Sequence, residues 1–235
     1  MAKKTEPVLP TWVNFLLGTG LLVTLWLVSS FPIAAFFAFT PLLVIAERAG
    51  SRKEWEWGSY DLIWVALSAG FFAAADFQAE KSIQSLLLAV VFTLPFLLGG
   101  WIQRNTTPHV GWAGTVVLWT SFEFALTSLK SGIAVDLSHV FAGSSGWIRW
   151  TRDLGTLSAG TWILLVNAAW AAALQGGRYV RTALTAGGIL IVAPIGTSLL
   201  LYPKFNIPPA GGEPVAIVCV ATSILLLAIA YFRAR

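Results

Sequence analysis

Residues 214–232 read PVAIVCVATSILLLAIAYF, nineteen positions without a charge between Glu213 and Arg233. An α-helix rises 1.5 Å per residue, so a run of this length matches the roughly 30 Å hydrocarbon core of a bilayer. It carries almost no polar face, whereas a helix on a soluble domain is apolar along one stripe only. The rest of the chain has the same character. Of its 235 residues, 57% are apolar and 11% charged, where a soluble domain has about 25% charged. So few charges cannot give a globule of this size a polar skin. The composition therefore excludes a soluble enzyme, a nucleic-acid-binding domain and a disordered chain. Twelve Trp suit the two membrane interfaces. The net charge of +4 reads as loop charge beside anionic headgroups, with no nucleic-acid partner.

Apolar runs bounded by charge, Gly or Pro predict an all-α polytopic membrane protein with about eight transmembrane helices. The expected spans are 11–28, 32–46, 60–77, 85–101, 111–128, 156–174, 182–202 and 214–232, forming a single transmembrane domain over 1–235. The second is short and follows the first across Ser29, Ser30 and Phe31, which predicts a tight hairpin with Pro32 in the first helical turn. Lys3 and Lys4 before the first run resemble a signal peptide. That run is long for an h-region and no Ala-x-Ala site follows, so it is expected to be a retained span. Eight spans put Lys3, Lys4, Arg48, Arg52, Lys53, Arg104, Arg178, Arg181, Arg233 and Arg235 on one side. Lys81, Lys130, Arg149, Arg152 and Lys204 fall on the other. By the positive-inside rule, both termini are expected in the cytoplasm of a bacterial inner membrane. The longest loop, residues 129–155, and the short connection 203–213 then face outward. No repeat period is visible.

Glu123 stands inside the fifth expected span, about 8 Å from its outer end at helical rise. A carboxylate at that depth turns toward a partner or a wet cavity. Three roles are open to it: a hydrogen-bonding clamp, a headgroup or substrate contact, or proton chemistry. The outward loop holds Asp136, His139, Trp147, Arg149, Trp150, Arg152 and Asp153. Indoles interleaved with guanidinium groups suit a phospholipid headgroup site, and they equally suit plain interfacial anchoring, with Asp153 offsetting Arg152. His109 and His139 fall on opposite faces, so no metal site is expected. Cys219, the sole thiol, lies about 9 Å into the last span, where a thiol is inert. Glu213, Lys204 and Cys219 make a triad only on paper. The Gly residues form no phosphate-cradling motif, and no cofactor is expected.

Several stretches together resemble bacterial apolipoprotein N-acyltransferases, in a Bacteroidota-like form. The segment from Phe31-Pro32 through Phe39-Thr40-Pro41-Leu42-Leu43 is similar to that family's opening helices. Trp119 and Glu123 match its Trp-x-x-x-Glu pattern in the fifth span. Residues Gly146-Trp147-Ile148-Arg149-Trp150-Thr151-Arg152-Asp153-Leu154-Gly155, continuing to Trp162-Ile163-Leu164-Leu165-Val166-Asn167, look like its outward loop and sixth span. The resemblance implies eight spans with cytoplasmic termini and a periplasmic nitrilase-like domain between spans seven and eight. In the family that domain carries a Glu-Lys-Cys triad, which moves an acyl chain from phospholipid to a lipoprotein amine. Here the insertion point holds only residues 203–213, so no catalytic residue transfers. What transfers is Glu123, Trp119, Asn167 and the stretch from Trp147 through Arg149, Trp150 and Arg152 to Asp153, as lipid-cavity or helix-packing positions.

Two expectations follow. In the first, the chain is a lipid-accessible scaffold touching membrane phospholipid, without its own triad and paired with a separate nitrilase-like protein. Lacking a credible nucleophile, it is not expected to be an enzyme on its own. In the second, it is a structural subunit of a larger inner-membrane complex that reuses the fold. A small-solute transporter has only Glu123 and Asp61 in its favour.

Overall fold

A computed structural model describes residues 9–28, 32–52, 54–128, 137–176, 180–200, 202 and 212–234. Among these, every regular element is helical: α1 (Thr11–Leu27), α2 (Ala35–Ala38), α3 (Thr40–Ser51), α4 (Trp57–Ala74), α5 (Ser82–Asn105), α6 (Pro108–Ser128), α7 (Thr151–Leu154), α8 (Ser158–Leu174), α9 (Val180–Leu200) and α10 (Pro214–Ala234), with 3-10 segments at Pro32–Ala34, Ala79–Lys81 and Leu137–Ile148. Four stretches are long and apolar enough to cross a membrane: Pro32–Ser51, Ala79–Asn105, Val180–Leu200 and Pro214–Ala234. The predicted Ser29–Phe31 hairpin connection lies outside the described residues. So do Lys3, Lys4, Lys53, Lys130, Asp136, Arg178, Lys204 and Arg235.

Several helices outrun the apolar stretches that predict them. The second reaches Ser51 through Glu47 and Arg48, and the fourth reaches Asn105 through Gln103 and Arg104. Hydropathy marks where the apolar run ends, but Glu, Arg and Gln propagate a helix well. The loop expected over 129–155 also has structure. From residue 137 onward it forms the 3-10 segment and α7.

Pro32–Ser51 is the central element. Of its most apolar stretch 78% is buried, against 11% for α9 and 22% for α10. Phe36, Phe39, Leu42, Leu43 and Ile45 are enclosed by α1, α4, α5, α6 and α8. Close crossings are set by glycine. A Cβ on Gly99 would collide with the Thr115 hydroxyl, and one on Gly111 would meet the Gln103 side chain at 2.5 Å. Small residues here let the α5 and α6 backbones approach, the common device of membrane helix pairs.

Two helix ends and one kink show how backbone groups are satisfied. After α4, Phe77 N–H donates to the Phe72 carbonyl and Asp76 N–H to that of Ala73. Asp76 has φ 53°, and the Phe77 ring meets Phe72 edge-on at 5.3 Å. This is a Schellman cap, with an aspartate where glycine is the usual residue. In α9, Pro194 lacks an N–H, which leaves the Leu190 carbonyl four residues back without its helical donor. The Trp162 indole N–H of α8 donates to that carbonyl instead. At α8, the Glu213 carboxylate accepts from Thr156 N–H and Thr156 hydroxyl, both at 2.8 Å, and from Leu157 N–H at 3.2 Å. Acidic groups at a helix N-terminus satisfy orphan donors and complement the helix dipole.

Candidate functional site

The sequence-derived residues fall into three separate places. Asn167, on α8, is fully buried beneath the break between α2 and α3. Pro41 cannot donate in a helix and crowds the preceding turn, so the chain breaks at Phe39. The Asn167 amide fills the break. Its Oδ1 accepts from Phe39 N–H at 2.9 Å, Thr40 N–H at 2.8 Å and the Thr40 hydroxyl at 3.0 Å. Its Nδ2 donates to the Ala35 and Ile163 carbonyls, both at 2.8 Å. The amide thus stands in for a missing helical bond between Phe39 and Ala35. With every donor and acceptor engaged, its visible work is structural.

Trp119 belongs to the same interior. Its ring lies 4.3 Å from Phe92, 5.2 Å from Phe39 and 6.0 Å from Phe96, and none of it reaches the surface. Its indole nitrogen has no hydrogen-bond partner among the described residues. Phe39 therefore joins Trp119 to Asn167, through its ring on one side and its amide on the other.

Glu123 lies one turn farther along α6. It is 1% exposed, and its Oε1 accepts from Leu137 N–H at a long 3.4 Å. A Cβ on Gly160 of α8 would come within 3.2 Å of Oε2. The carboxylate therefore sits between α6, α8 and the first residue of the 3-10 segment, where any change of side-chain size meets backbone.

Residues 137–154 form a plate at the Ser128 end of α6. Leu137, Val140 and Phe141 are buried, with Phe141 stacked on Trp162 at 5.5 Å. Trp150 meets Trp162 edge-on at 5.5 Å, and Trp147 approaches Phe141 at 6.5 Å. Both Trp therefore pack inward against the core. Arg149 and Arg152 are exposed, and neither forms an ion pair among the described residues. Asp153 accepts from the Tyr202 hydroxyl and makes no direct ion pair with its neighbour Arg152.

The remaining candidates are dispersed. Cys219 is buried within hydrogen-bonding reach of the Thr120 and Thr161 hydroxyls, which lie 2.8 Å apart. It faces α6 and α8 rather than lipid. Glu213 is committed to capping α8. His109 sits in the first turn of α6, 5.3 Å from Trp112, whereas His139 lies beyond the opposite end of that helix. Asp61 is exposed.

One constellation is absent from the sequence reading. Gly50, Ser51, Arg52, Gln103, Arg104 and Pro108 line a cavity of about 420 Å³ at the end of the bundle away from the plate. Its two basic residues come from helix ends some fifty positions apart, and in a linear reading each registers only as a charge flanking an apolar run. No known protein family, curated protein or solved structure matches the chain.

Proposed function

We propose that the chain is a multi-pass inner-membrane scaffold of the apolipoprotein N-acyltransferase membrane type, crossing eight times with both termini in the cytoplasm and holding phospholipid at its outer face. The observation that carries this reading is the plate itself. It buries its apolar residues against Trp162 and leaves Arg149 and Arg152 exposed without ion-pair partners among the described residues, a disposition suited to headgroup phosphate. The helical rods support the crossing number: α1, Pro32–Ser51, α4, Ala79–Asn105, α6, α8, α9 and α10.

Acyl transfer through a covalent intermediate needs a thiolate, a base and an oxyanion-stabilising donor around one carbonyl. The chain's single thiol is packed among α6, α8 and α10, and Glu213 is occupied by α8. Under this proposal the chemistry comes from a separate nitrilase-like protein docked on the plate. The deciding experiment gives the purified full chain phospholipid and a diacylated lipopeptide, alone and with proteins that copurify in gentle detergent. The expected result is triacylated product only with the partner, and fewer phospholipids retained per chain in Arg149→Gln/Arg152→Gln than in the parent. A Cys219 acyl thioester on the isolated chain would overturn the reading.

The weak burial of α9, at 11%, favours the second reading of a subunit in a larger membrane complex. Other membrane subunits copurifying in fixed stoichiometry would select it.

A further inference from the structure

The cavity at the other end of the bundle is lined by Arg52 and Arg104 and by no carboxylate. We propose that it binds a phosphate group, carried by a phospholipid headgroup or free in solution. Arg104 is held in place for this role. Its Nη2 donates to the Ala49 carbonyl at 3.1 Å and the Glu54 carbonyl at 2.9 Å, and its guanidinium stacks on Trp55 at 4.1 Å from the ring centre. These contacts engage Nη2 alone; Nε is buried with no hydrogen-bond partner among the described residues, and Nη1 makes no hydrogen bond among them either. An unmet guanidinium N–H away from water is costly, and a phosphate oxygen is its best acceptor. Arg104 is thus a fixed cation with a free donor.

Arg52 is the exposed one. Its side chain is 62% exposed and meets Glu56 in an i,i+4 pair at 2.6 Å. Exposed pairs of this kind hold weakly, so a stronger anion can draw Arg52 across. The nearby Glu47 carboxylate is already engaged, by the Ser51 hydroxyl. Gln103 Nε2 donates to the Glu47 carbonyl at 3.0 Å and the Ser51 hydroxyl at 2.7 Å, and Ser51 in turn donates to the Glu47 carboxylate at 2.9 Å. Gln103 and Arg104 thus cover the Glu47 and Ala49 carbonyls near the end of α3. The two guanidinium groups face the C-terminal ends of α3 and α5, while α6 begins at Pro108 and turns its positive end to the same space. The residues flank the ends of two of the apolar helices, Pro32–Ser51 and Ala79–Asn105, at the level where headgroups lie. The volume is on the order of ten or more waters by their share of liquid volume, enough for a phosphate with its glycerol.

The test uses the full chain carrying Arg149→Gln and Arg152→Gln, so that the plate contributes nothing and a failed outer site is told apart from a failed inner one. Native mass spectrometry in neutral detergent compares retention of phosphatidylglycerol with that of diacylglycerol. Phosphatidylglycerol should be retained preferentially, and Arg52→Gln should weaken it about tenfold, the loss of one charge-assisted contact. Arg104→Gln should abolish it. Because Arg104 also braces α3, the exposed Arg52 carries the decision. Displacement by millimolar inorganic phosphate would mark a soluble phosphate as ligand, and resistance to it would mark the lipid. Both results support the site. Retention of the two lipids alike, or undiminished retention in Arg52→Gln, overturns it.

Discussion

Replacing Asn167 by Leu tests whether one amide holds the centre of the bundle together. The substitution keeps the branched four-heavy-atom shape, with methyl groups in place of the amide O and NH2, and removes the partner of three buried backbone groups: Phe39 N–H, Thr40 N–H and the Ala35 carbonyl. Phe39 retains only a contact to the carbonyl two residues back. Leaving a buried backbone group unsatisfied costs about 1–3 kcal/mol. Hydrogen bonds between membrane helices average nearer 0.6 kcal/mol, because unfolded helices in lipid also find partners. The second figure sets a floor of about 2 kcal/mol for three groups. The first gives about 3–9 kcal/mol for the same three groups, and its lower part, about 3–5 kcal/mol, is the expectation once partners found in lipid are allowed for. At about 2–4 °C per kcal/mol for a chain of this size, the midpoint should fall by roughly 6–20 °C. The assay is thermal loss of monodisperse protein on fluorescence-detected size exclusion in detergent. Leu165→Ala, on the half-exposed face of the same helix, is the control and should shift little. An Asn167→Leu protein melting with the parent would refute the reasoning, because it would mean that the break at Phe39 is satisfied some other way.

Trp162→Phe should cost about 1 kcal/mol, one net hydrogen bond, and less when combined with Pro194→Ala, which returns a helical donor to Leu190; additive losses in this cycle would detach the indole from the proline. Asp76→Gly should stabilise by about 0.5–1 kcal/mol because the position has positive φ, and Asp76→Val should destabilise, both read by thermal midpoint. Glu213→Ala should cost about 1–2 kcal/mol through the α8 cap, while Gly155→Ala should fold poorly, since its Cβ would collide with the Glu213 carboxylate at φ 91°. In a Cys219→Ala background, a cysteine at Ser145 should react with an impermeant reagent in intact cells and one at Glu54 should not; the reverse pattern would invert the topology.

The helical rods are legible in the sequence because each apolar run is bounded by charge, Gly or Pro, and their order in the chain follows directly. The pairings are not. Asn167 shows as one amide in an apolar helix, and nothing local says that it lies under a break made by Pro41 on a helix 127 positions earlier. Glu213 beside Pro214 looks like an ordinary charged boundary residue, and its role depends on Gly155 bringing the start of α8 against it. Trp147 and Trp150 illustrate the limit of composition. Indoles beside Arg suit an interface, yet whether they turn outward or in to Trp162 is decided by the space under the plate. The cavity lined by Arg52 and Arg104 is the least legible, because neither helix end is a motif alone.

The separation between Asn167 and Thr40 also fixes an order of events during synthesis. At ~5–20 residues per second, the 127 positions between them take ~6–25 seconds to translate. Throughout that interval the nascent segment from Pro32 to Ser51 holds Phe39 and Thr40 amides without the side-chain acceptor they have in the finished fold. The seam can close only after α8 has emerged. A chain that ends before residue 167 therefore lacks the one side chain that closes this seam, whatever else of the bundle has formed.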